Sequence, residues 1–252
     1  MRIAVFIKPV QTSYFDNLRN KEKYEFFMNY PDKCALVEAI KLVRYYGGEV
    51  NVFSIANEKA IDVLKEALAL GANSAVLISD PIFEDLDTLS KAKVAIAAIR
   101  KSKAYDVIMF GDVSVDSMNG QMGIIVADKL GLPHISNVVR LWNEDSKIVC
   151  EKRVEDKILI CEARVPVVVV VTIDLNPFEL YNIAYEEIEK VNKPILKWDA
   201  KFLGIKPEEL SKKIKISSIN KIEQQRERKI IYFNDYNELS EKILEIFEKS
   251  AK

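Results

Sequence analysis

Residues 106–130, DVIMFGDVSVDSMNGQMGIIVADKL, show the repeating unit of this chain most clearly, because they run from an apolar segment through a polar loop into a second apolar segment. Residues 106–110 have the composition of a buried strand, and residues 121–130 carry apolar side chains at helical spacing. Between them, residues 110–123 contain seven Gly, Ser or Asp residues. This composition predicts a strand-loop-helix unit whose backbone another group can approach closely.

The alternation of strand and helix continues on both sides of this unit. Apolar runs predict further strands at residues 3–7, 50–56, 75–78 and 135–141. Apolar side chains at helical spacing predict helices at residues 31–46, 57–70 and 86–101. Parallel strands need helical crossovers, so the sequence predicts an α/β fold with a doubly wound, mainly parallel, five-stranded core sheet.

The pattern changes after residue 141. Residues 147–150, 157–161 and 165–172 form strand-like runs without helices between them, which predicts a β-meander or an extension of the sheet. Residues 201–230 hold nine Lys or Arg against four Asp or Glu, as expected of a solvated arm. Asp235 and Glu238 then form a predicted capping box for a helix with one apolar face. We therefore expect an α/β domain at 1–200 and a C-terminal arm and helix at 201–252.

Composition argues against several classes of function. Lys and Arg number 37 against 38 Asp and Glu, so no global field favours nucleic acid or an anionic membrane as a partner. Three cysteines without CxxC spacing argue against a disulfide framework and a zinc site, and are typical of a protein of the reducing cytoplasm. The apolar run at 165–171 is far shorter than the roughly 20 residues of a membrane helix. The start of the chain lacks the pattern of a signal peptide.

No constellation of residues predicts catalysis. His134 is the only histidine, and the sequence offers no nucleophile beside it. The three cysteines fall in predicted core positions, and nothing converges on the acidic pair Glu186 and Glu187. We therefore expect a binding or carrier protein rather than an enzyme.

The polar loop at 111–120 fits a phosphate-binding role. In an open parallel sheet, ligands bind beyond the carboxyl ends of the strands, where the strand order reverses. A helix starting near Gly120 offers free backbone amides, and Gly111, Ser114 and Ser117 are small enough for a phosphate to approach. Asp116 is better suited to accept a ribose hydroxyl or to fix the loop. Neither a Walker A motif nor GxGxxG is present, so an ordinary connection built of turn-forming residues is the competing interpretation.

Six segments together resemble the β subunit of electron transfer flavoprotein, in the same order along residues 1–200. They are IAVFIKPV (3–10), MNYPDKCALVEAIKL (28–42), ALALGANSAVLISD (67–80), GDVSVDSMNGQMG (111–123), VVTIDLN (170–176) and NKPI (192–195). The resemblance implies an adenine nucleotide alpha hydrolase-like fold and a heterodimer with an α subunit that holds most of the redox FAD. It also implies that electrons pass from dehydrogenases, such as acyl-CoA dehydrogenases, to a quinone oxidoreductase of the membrane. The β pocket would bind AMP, or a second FAD in an electron-bifurcating member.

The resemblance also identifies site residues by position. The implied nucleotide pocket comprises Phe6, Lys8, Asn29, Tyr30, Pro31, Asp32, Ile55, Gly111, Asp112, Val113, Ser114, Val115, Asp116, Ser117, Met118, Asn119, Gly120 and Gln121. The family's Asn-Pro-Phe is Asn29-Tyr30-Pro31 here, and its partner-binding loop is replaced by residues 174–181. Within that loop, Leu175, Phe178 or Leu180 would anchor a partner, or else pack in the chain's own core.

Two further alternatives stay open at this point. The C-terminal helix would pack on the α subunit or, alternatively, on its own sheet. A free-standing adenine-nucleotide-binding protein similar to universal stress proteins is the second functional class. About a hundred residues follow the fifth predicted strand, which favours the flavoprotein subunit.

Overall fold

The computed structural model describes residues 1–11, 26–175, 185–214, 217–218, 232–233 and 235–250. The chain divides into two compact units, Met1–Lys215 and Ile216–Lys252. Within the described residues, none of the helices combines the length and apolar character that a membrane span requires.

The described chain contains eleven strands and seven α-helices. The strands are β1 (Arg2–Phe6), β2 (Pro9–Gln11), β3 (Phe26–Met28), β4 (Glu49–Ile55), β5 (Ser74–Ile78), β6 (Val107–Gly111), β7 (His134–Glu144), β8 (Lys147–Val154), β9 (Lys157–Arg164), β10 (Val167–Val171) and β11 (Ile195–Trp198). The helices are α1 (Tyr30–Tyr46), α2 (Ile61–Leu70), α3 (Thr88–Lys101), α4 (Met122–Leu130), α5 (Tyr185–Glu189), α6 (Ala200–Leu203) and α7 (Tyr236–Ser250). Strands β2 and β3 form a small antiparallel pair.

Nine strands form one twisted sheet in the order β11-β5-β4-β1-β6-β10-β7-β8-β9. All neighbours from β11 to β7 are parallel, whereas β8 and β9 add antiparallel strands at one edge. The chain moves outward from β1 through β4 to β5 and then returns to place β6 on the other side of β1. The strand order therefore reverses between β1 and β6, as the predicted doubly wound fold requires.

The position of β10 differs from the prediction. Residues 165–172 were expected to continue the meander or extend the sheet, but β10 lies inside the sheet, between β6 and β7 and parallel to both. All five of its valines are buried, which confirms the expected buried strand. A strand covered on both faces carries no alternation of polar and apolar residues that would reveal its neighbours, so the sequence could not place it.

Helices cover both faces of the sheet and create two cores. On one face, α1 and α2 bury residues such as Leu36 and Leu64 against Ile3 and Val52. On the other face, α3 and α4 bury small residues such as Ala95 and Ala127 against the aromatic side chains of the strands. The predicted α/β class is confirmed, and the reversal point lies between these two helical layers.

Helix starts agree with the predicted helix bounds to within a few residues. The Asn57 side chain accepts the Lys59 amide, but it opens a short 3₁₀ turn, so α2 begins at Ile61. Asp87 caps α3 by accepting the Ser90 amide, which sets the start of that helix at Thr88. This hydrogen bond holds the pKa of Asp87 well below its usual value.

The first unit continues past the predicted boundary at residue 200. Leu203 of α6 and Leu210, in a 3₁₀ turn over Pro207–Leu210, are buried against the α3–α4 core. The extended arm predicted from residue 201 therefore does not describe residues 201–210. In the second unit, the Asp235 carboxylate accepts the amides of Asn237 and Glu238 and so caps α7 as predicted.

Candidate functional site

The Asp32 carboxylate joins the tips of β1 and β6. Asp32 lies in the first turn of α1; one of its oxygens accepts the backbone amide of Lys8 at 2.8 Å, and the other accepts that of Gly111 at 3.0 Å. Burial raises the pKa of Asp32 to about 7, although the bonds from Lys8, Asn29 and Gly111 act in the opposite direction. The carboxylate therefore fixes two strand ends and one helix start at the reversal point.

Gly111 is required by this internal junction. A Cβ atom at Gly111 would lie 2.4 Å from an Asp32 carboxylate oxygen and 2.7 Å from the Cβ of Pro31. The sequence predicted that Gly111 leaves room for a phosphate. That reason is wrong, since the space beside Gly111 is occupied by the first turn of α1.

Asn29 holds the loop after β6 against the start of α1. Its side-chain amide donates to the Val113 carbonyl at 2.8 Å, and its side-chain oxygen accepts the Val115 amide at 3.2 Å. Asn29 occupies the N-cap position of α1, but its side chain accepts no backbone amide of that helix. This buried side chain instead links the loop to the helix start, because it also hydrogen-bonds the Asp32 carboxyl group.

Lys8 and Asp116 form an ion pair across the site. The Lys8 ammonium lies 2.6 Å from an Asp116 carboxylate oxygen and donates to the Ser114 hydroxyl at 3.1 Å. Burial alone would raise the pKa of Asp116, but the hydrogen bonds from Lys8 and Ser114 and the Lys8 charge lower it overall. Of the two roles predicted for Asp116, fixing the loop is the one that these contacts support.

The end of the loop presents backbone amides beside the start of α4. Gly120 has a φ of +64°, and none of the described hydrogen bonds uses the amides of Asn119 and Gly120. No side chain caps α4 at Gln121, so its first-turn amides also lack partners within the helix. Backbone amides arranged in this way suit an anionic ligand.

Sequence reasoning missed one residue of the site, Lys91. The Asn119 side chain donates to the Thr88 hydroxyl at 2.8 Å, which holds the loop against the first turn of α3. Lys91 follows one turn later and is half-buried. Burial, followed by repulsion from Lys8, lowers the pKa of Lys91, while attraction to Asp116 opposes that shift. Lys91 lies between Ser90 and Ala92, which is the pattern of an ordinary solvated lysine on a helix, so only its tertiary surroundings could reveal it.

The remaining predicted residues are less directly connected. The Phe6 ring is stacked between Phe53 and Phe110, with centroid distances of 5.2 and 4.9 Å, so its side chain belongs to the core. Tyr30 packs against Phe27, and Ile55 is half-buried at the tip of β4. These positions border the reversal point without hydrogen bonds to the loop.

Residues in the rest of the loop have distinct environments. Asp112 accepts the Val113 amide at 2.7 Å, and burial raises its pKa. The hydroxyls of Ser114 and Ser117 lie 2.7 Å apart. Met118 is exposed and adopts a positive φ.

The predicted partner anchors have different outcomes. Leu175 is buried in the α1–α2 core, which agrees with the alternative of packing within the chain. Phe178 and Leu180 lie outside the described residues. A partner contact by those two side chains stays a prediction.

Two other features lie apart from this site. A groove of about 640 Å³ between α3, α4 and α6 contains none of the predicted nucleotide residues. Across the described part of the chain, no three His, Cys, Asp or Glu side chains are grouped so that they could hold a metal ion. Cys34 and Cys150 are buried and Cys161 is half-buried.

Comparison with known proteins places the chain in a family. Residues 20–203 match the sequence model described as "Electron transfer flavoprotein domain". The chain is 32% identical over 195 residues to "Electron transfer flavoprotein subunit beta" of Thermoanaerobacterium thermosaccharolyticum, covering 74% of each protein. It is 31% identical over 216 residues to the protein of the same name from Clostridium acetobutylicum, covering 82% of this chain and 81% of that protein.

A third relative carries a more specific name. The "Caffeyl-CoA reductase-Etf complex subunit CarD" of Acetobacterium woodii is 29% identical over 185 residues, covering 71% of this chain and 68% of that protein. The residues that match the family model, 20–203, include Asp32, the loop after β6 and every strand of the nine-stranded sheet except β1. The chain belongs to the electron transfer flavoprotein family.

Proposed function

We propose that this chain is the β subunit of an electron transfer flavoprotein and that it binds an adenylate group at the reversal point between β1 and β6. The supporting observation is the convergence of the β1 tip, the start of α1 and the loop after β6 on one place. Direct hydrogen bonds of Lys8, Asn29 and Asp32 hold these three segments together. Doubly wound sheets bind nucleotides at such a reversal.

The residues at the site suit an adenylate with its phosphate. The amides of Asn119 and Gly120 and the first turn of α4 provide donors for phosphate oxygens. Lys8 adds positive charge at the same place. The chain's own residues would thus bind and orient the nucleotide, and they need not break any bond in it.

The adenylate is AMP or part of a second FAD, and both fit the same donors. The main redox flavin is FAD held by an α subunit, and this flavin supplies the electron-transfer chemistry. The assembled heterodimer would act in the cytoplasm, where it would accept electrons from dehydrogenases, such as acyl-CoA dehydrogenases, and pass them to a quinone oxidoreductase of the membrane. The chain itself acts as a carrier subunit without a catalytic group of its own.

The polar segment after residue 210 and the amphipathic helix α7 provide a means of holding the α subunit. Ile243, Leu244, Ile246 and Phe247 of this helix are exposed within the described chain. We infer that this apolar face packs on the α subunit, because large apolar surfaces are usually covered in an assembly. Phe178 and Leu180 stay candidates for contacts with dehydrogenases.

Co-expression with the product of the neighbouring gene tests this proposal. A yellow heterodimer is expected, and acid treatment should release either one FAD with one AMP or two FAD molecules per heterodimer. Two flavins without AMP would indicate electron bifurcation, and one of each would indicate simple transfer. A colourless homodimer that binds ATP would instead support a regulatory protein similar to universal stress proteins.

A further inference from the structure

Lys91 lies on α3, a helix that the resemblance did not include, one turn after the residue that holds the loop of the proposed adenylate site. The hydrogen bond between Asn119 and Thr88 fixes the loop to the first turn of α3. Lys91 comes three residues after Thr88 and therefore lies on the same face of α3; it is half-buried there, and the charges of Lys8 and Asp116 influence its pKa. The positive charge of Lys91 therefore affects the same part of the site as the ion pair formed by Lys8 and Asp116.

The acidic groups around Lys91 are bound by other partners. Asp116 pairs with Lys8 at 2.6 Å, and Asp85 pairs with Lys212. Asp87 accepts the amide of Ser90 at 2.8 Å and also binds backbone amides of the segment after α6. Over the described part of the chain, no hydrogen bond or ion pair engages the Lys91 ammonium itself.

Lys91 is consequently a half-buried cation that none of the described carboxylates binds directly. Both carboxylates that attract Lys91 are bound by another lysine, Asp116 by Lys8 and Asp85 by Lys212. A half-buried charge without a partner is unfavourable, whereas an anionic ligand would bring in the missing negative charge. A phosphate oxygen accepts charge-assisted hydrogen bonds from lysine, and these are stronger than neutral ones.

We propose that Lys91 contacts the phosphate of the adenylate and makes the site select nucleoside phosphates over the unphosphorylated nucleoside. This inference rests on the proposed adenylate site. It adds a positioning and selectivity role for α3, which the strand tips and the loop alone would not provide. The adenine and ribose would still be held by the rest of the site.

The test compares AMP with adenosine on the full-length chain freed of bound nucleotide. Calorimetry gives the dissociation constants of adenosine and of AMP. The ratio of the first constant to the second reports the contribution of the phosphate to binding. Lys91→Gln should lower this ratio roughly tenfold to a hundredfold, the range expected for one charge-assisted contact. Adenosine affinity should stay unchanged, and Lys91→Arg should keep most of the ratio because it keeps the charge.

Lys93→Gln is the matched control, because Lys93 lies on the same helix but its ammonium donates to the Glu209 carbonyl in the groove away from the site. This control should leave both affinities unchanged. Circular dichroism melting of each variant verifies that it is folded.

Three results would overturn the inference, and they have different meanings. If Lys91→Gln leaves the ratio unchanged while the wild-type chain binds AMP, Lys91 does not contact phosphate and the adenylate site still stands. If Lys91→Gln weakens the binding of adenosine as much as that of AMP, the substitution damages the site in general, and the proposed selectivity role is wrong. If the wild-type chain binds neither ligand, both the adenylate site and the role of Lys91 fail.

Discussion

Gly111 and Asp32 are in such close contact that the α carbon of Gly111 has no space for a side chain toward α1. A Cβ atom there would lie 2.4 Å from one carboxylate oxygen and 2.7 Å from the Asp32 backbone nitrogen. This contact joins the end of β6 to the start of α1. The geometry of the proposed site depends on it, because the loop that follows Gly111 takes its direction from this point.

Gly111→Ala should destabilise the protein and impair nucleotide binding, because Asp32 must move away from the strand tips. Overpacking of this kind typically costs about 1–3 kcal/mol in the free energy of unfolding. Urea unfolding and AMP calorimetry measure the two effects. Gly131→Ala is a useful comparison, since Gly131 has a φ of +68° but nothing within 4 Å of its Cβ position. Gly131→Ala should lower the free energy of unfolding through backbone strain but leave the AMP affinity unchanged. If Gly111→Ala and Gly131→Ala bound AMP equally well, the role of the junction would be refuted.

The Asp32 carboxyl should make stability depend on pH. Its pKa in the folded chain is raised from 3.8 to about 7, so the folded protein holds a proton that the unfolded chain has released between these values. The stabilisation is complete below about pH 4 and is lost as the pH rises through about 7. Each unit of pKa difference corresponds to about 1.4 kcal/mol.

Asp32→Asn tests this dependence, because an amide cannot titrate. The difference in unfolding free energy between wild type and variant should fall as the pH rises from 4 to 8. Urea titrations at several pH values give that difference directly. A difference that stays constant over this range would show that Asp32 is already ionised in the folded protein.

The buried ion pair between Lys33 and Glu66 should be sensitive to loss of one partner. Its ammonium and carboxylate oxygen lie 2.8 Å apart, with only 6% and 18% of the side chains exposed. Glu66→Leu leaves the lysine charge buried without a partner, which typically costs about 3–5 kcal/mol. The double variant Lys33→Met with Glu66→Leu should recover most of this loss in a denaturant titration.

Asp62→Asn provides the exposed counterpart on the same helix as Glu66. Asp62 pairs with Lys65 at the same 2.8 Å, but both side chains are 40% exposed. A surface pair contributes at most about 1 kcal/mol. If Glu66→Leu and Asp62→Asn had equal effects on stability, burial would not be the determining factor.

Cysteine reactivity should separate Cys150 from Cys161. Burial, with a smaller effect from Cys161, raises the pKa of Cys150 to about 12, so its thiol stays protonated and poorly nucleophilic. Cys161 lies half-buried on the edge strand β9. A thiol reagent should therefore label one site rapidly in the native chain, and Cys161→Ser should remove that rapid phase. Rapid labelling that persists in the variant would contradict this assignment.

The sequence predicted the alternation of elements well because each helix has apolar residues at helical spacing and a clear start or stop. Gly131 illustrates this, since the helix predicted at residues 121–130 ends at Leu130, with Gly131 as its C-cap. The sequence also pointed to the loop after β6 as the candidate site, because ligands of a doubly wound sheet bind where the strand order reverses; that this loop binds a nucleotide stays a prediction.

The remaining features depend on contacts between distant residues. Gly111 was correctly singled out for its missing side chain, but the neighbour that requires it, Asp32, is 79 positions away in the chain. Lys91 gave no local signal, and β11 was missed because Ile195–Trp198 is too short to resemble a strand in isolation. Such contacts appear only when the sheet has brought the segments together.

The central place of β10 has a consequence for biosynthesis. Until residues 167–171 leave the ribosome, β6 and β7 have no strand to join them, and their backbone groups along that gap stay unpaired. Pairing between segments far apart in sequence is slow. During synthesis, this chain therefore exposes one unpaired edge of β6 and one of β7, at which strands of other chains can pair.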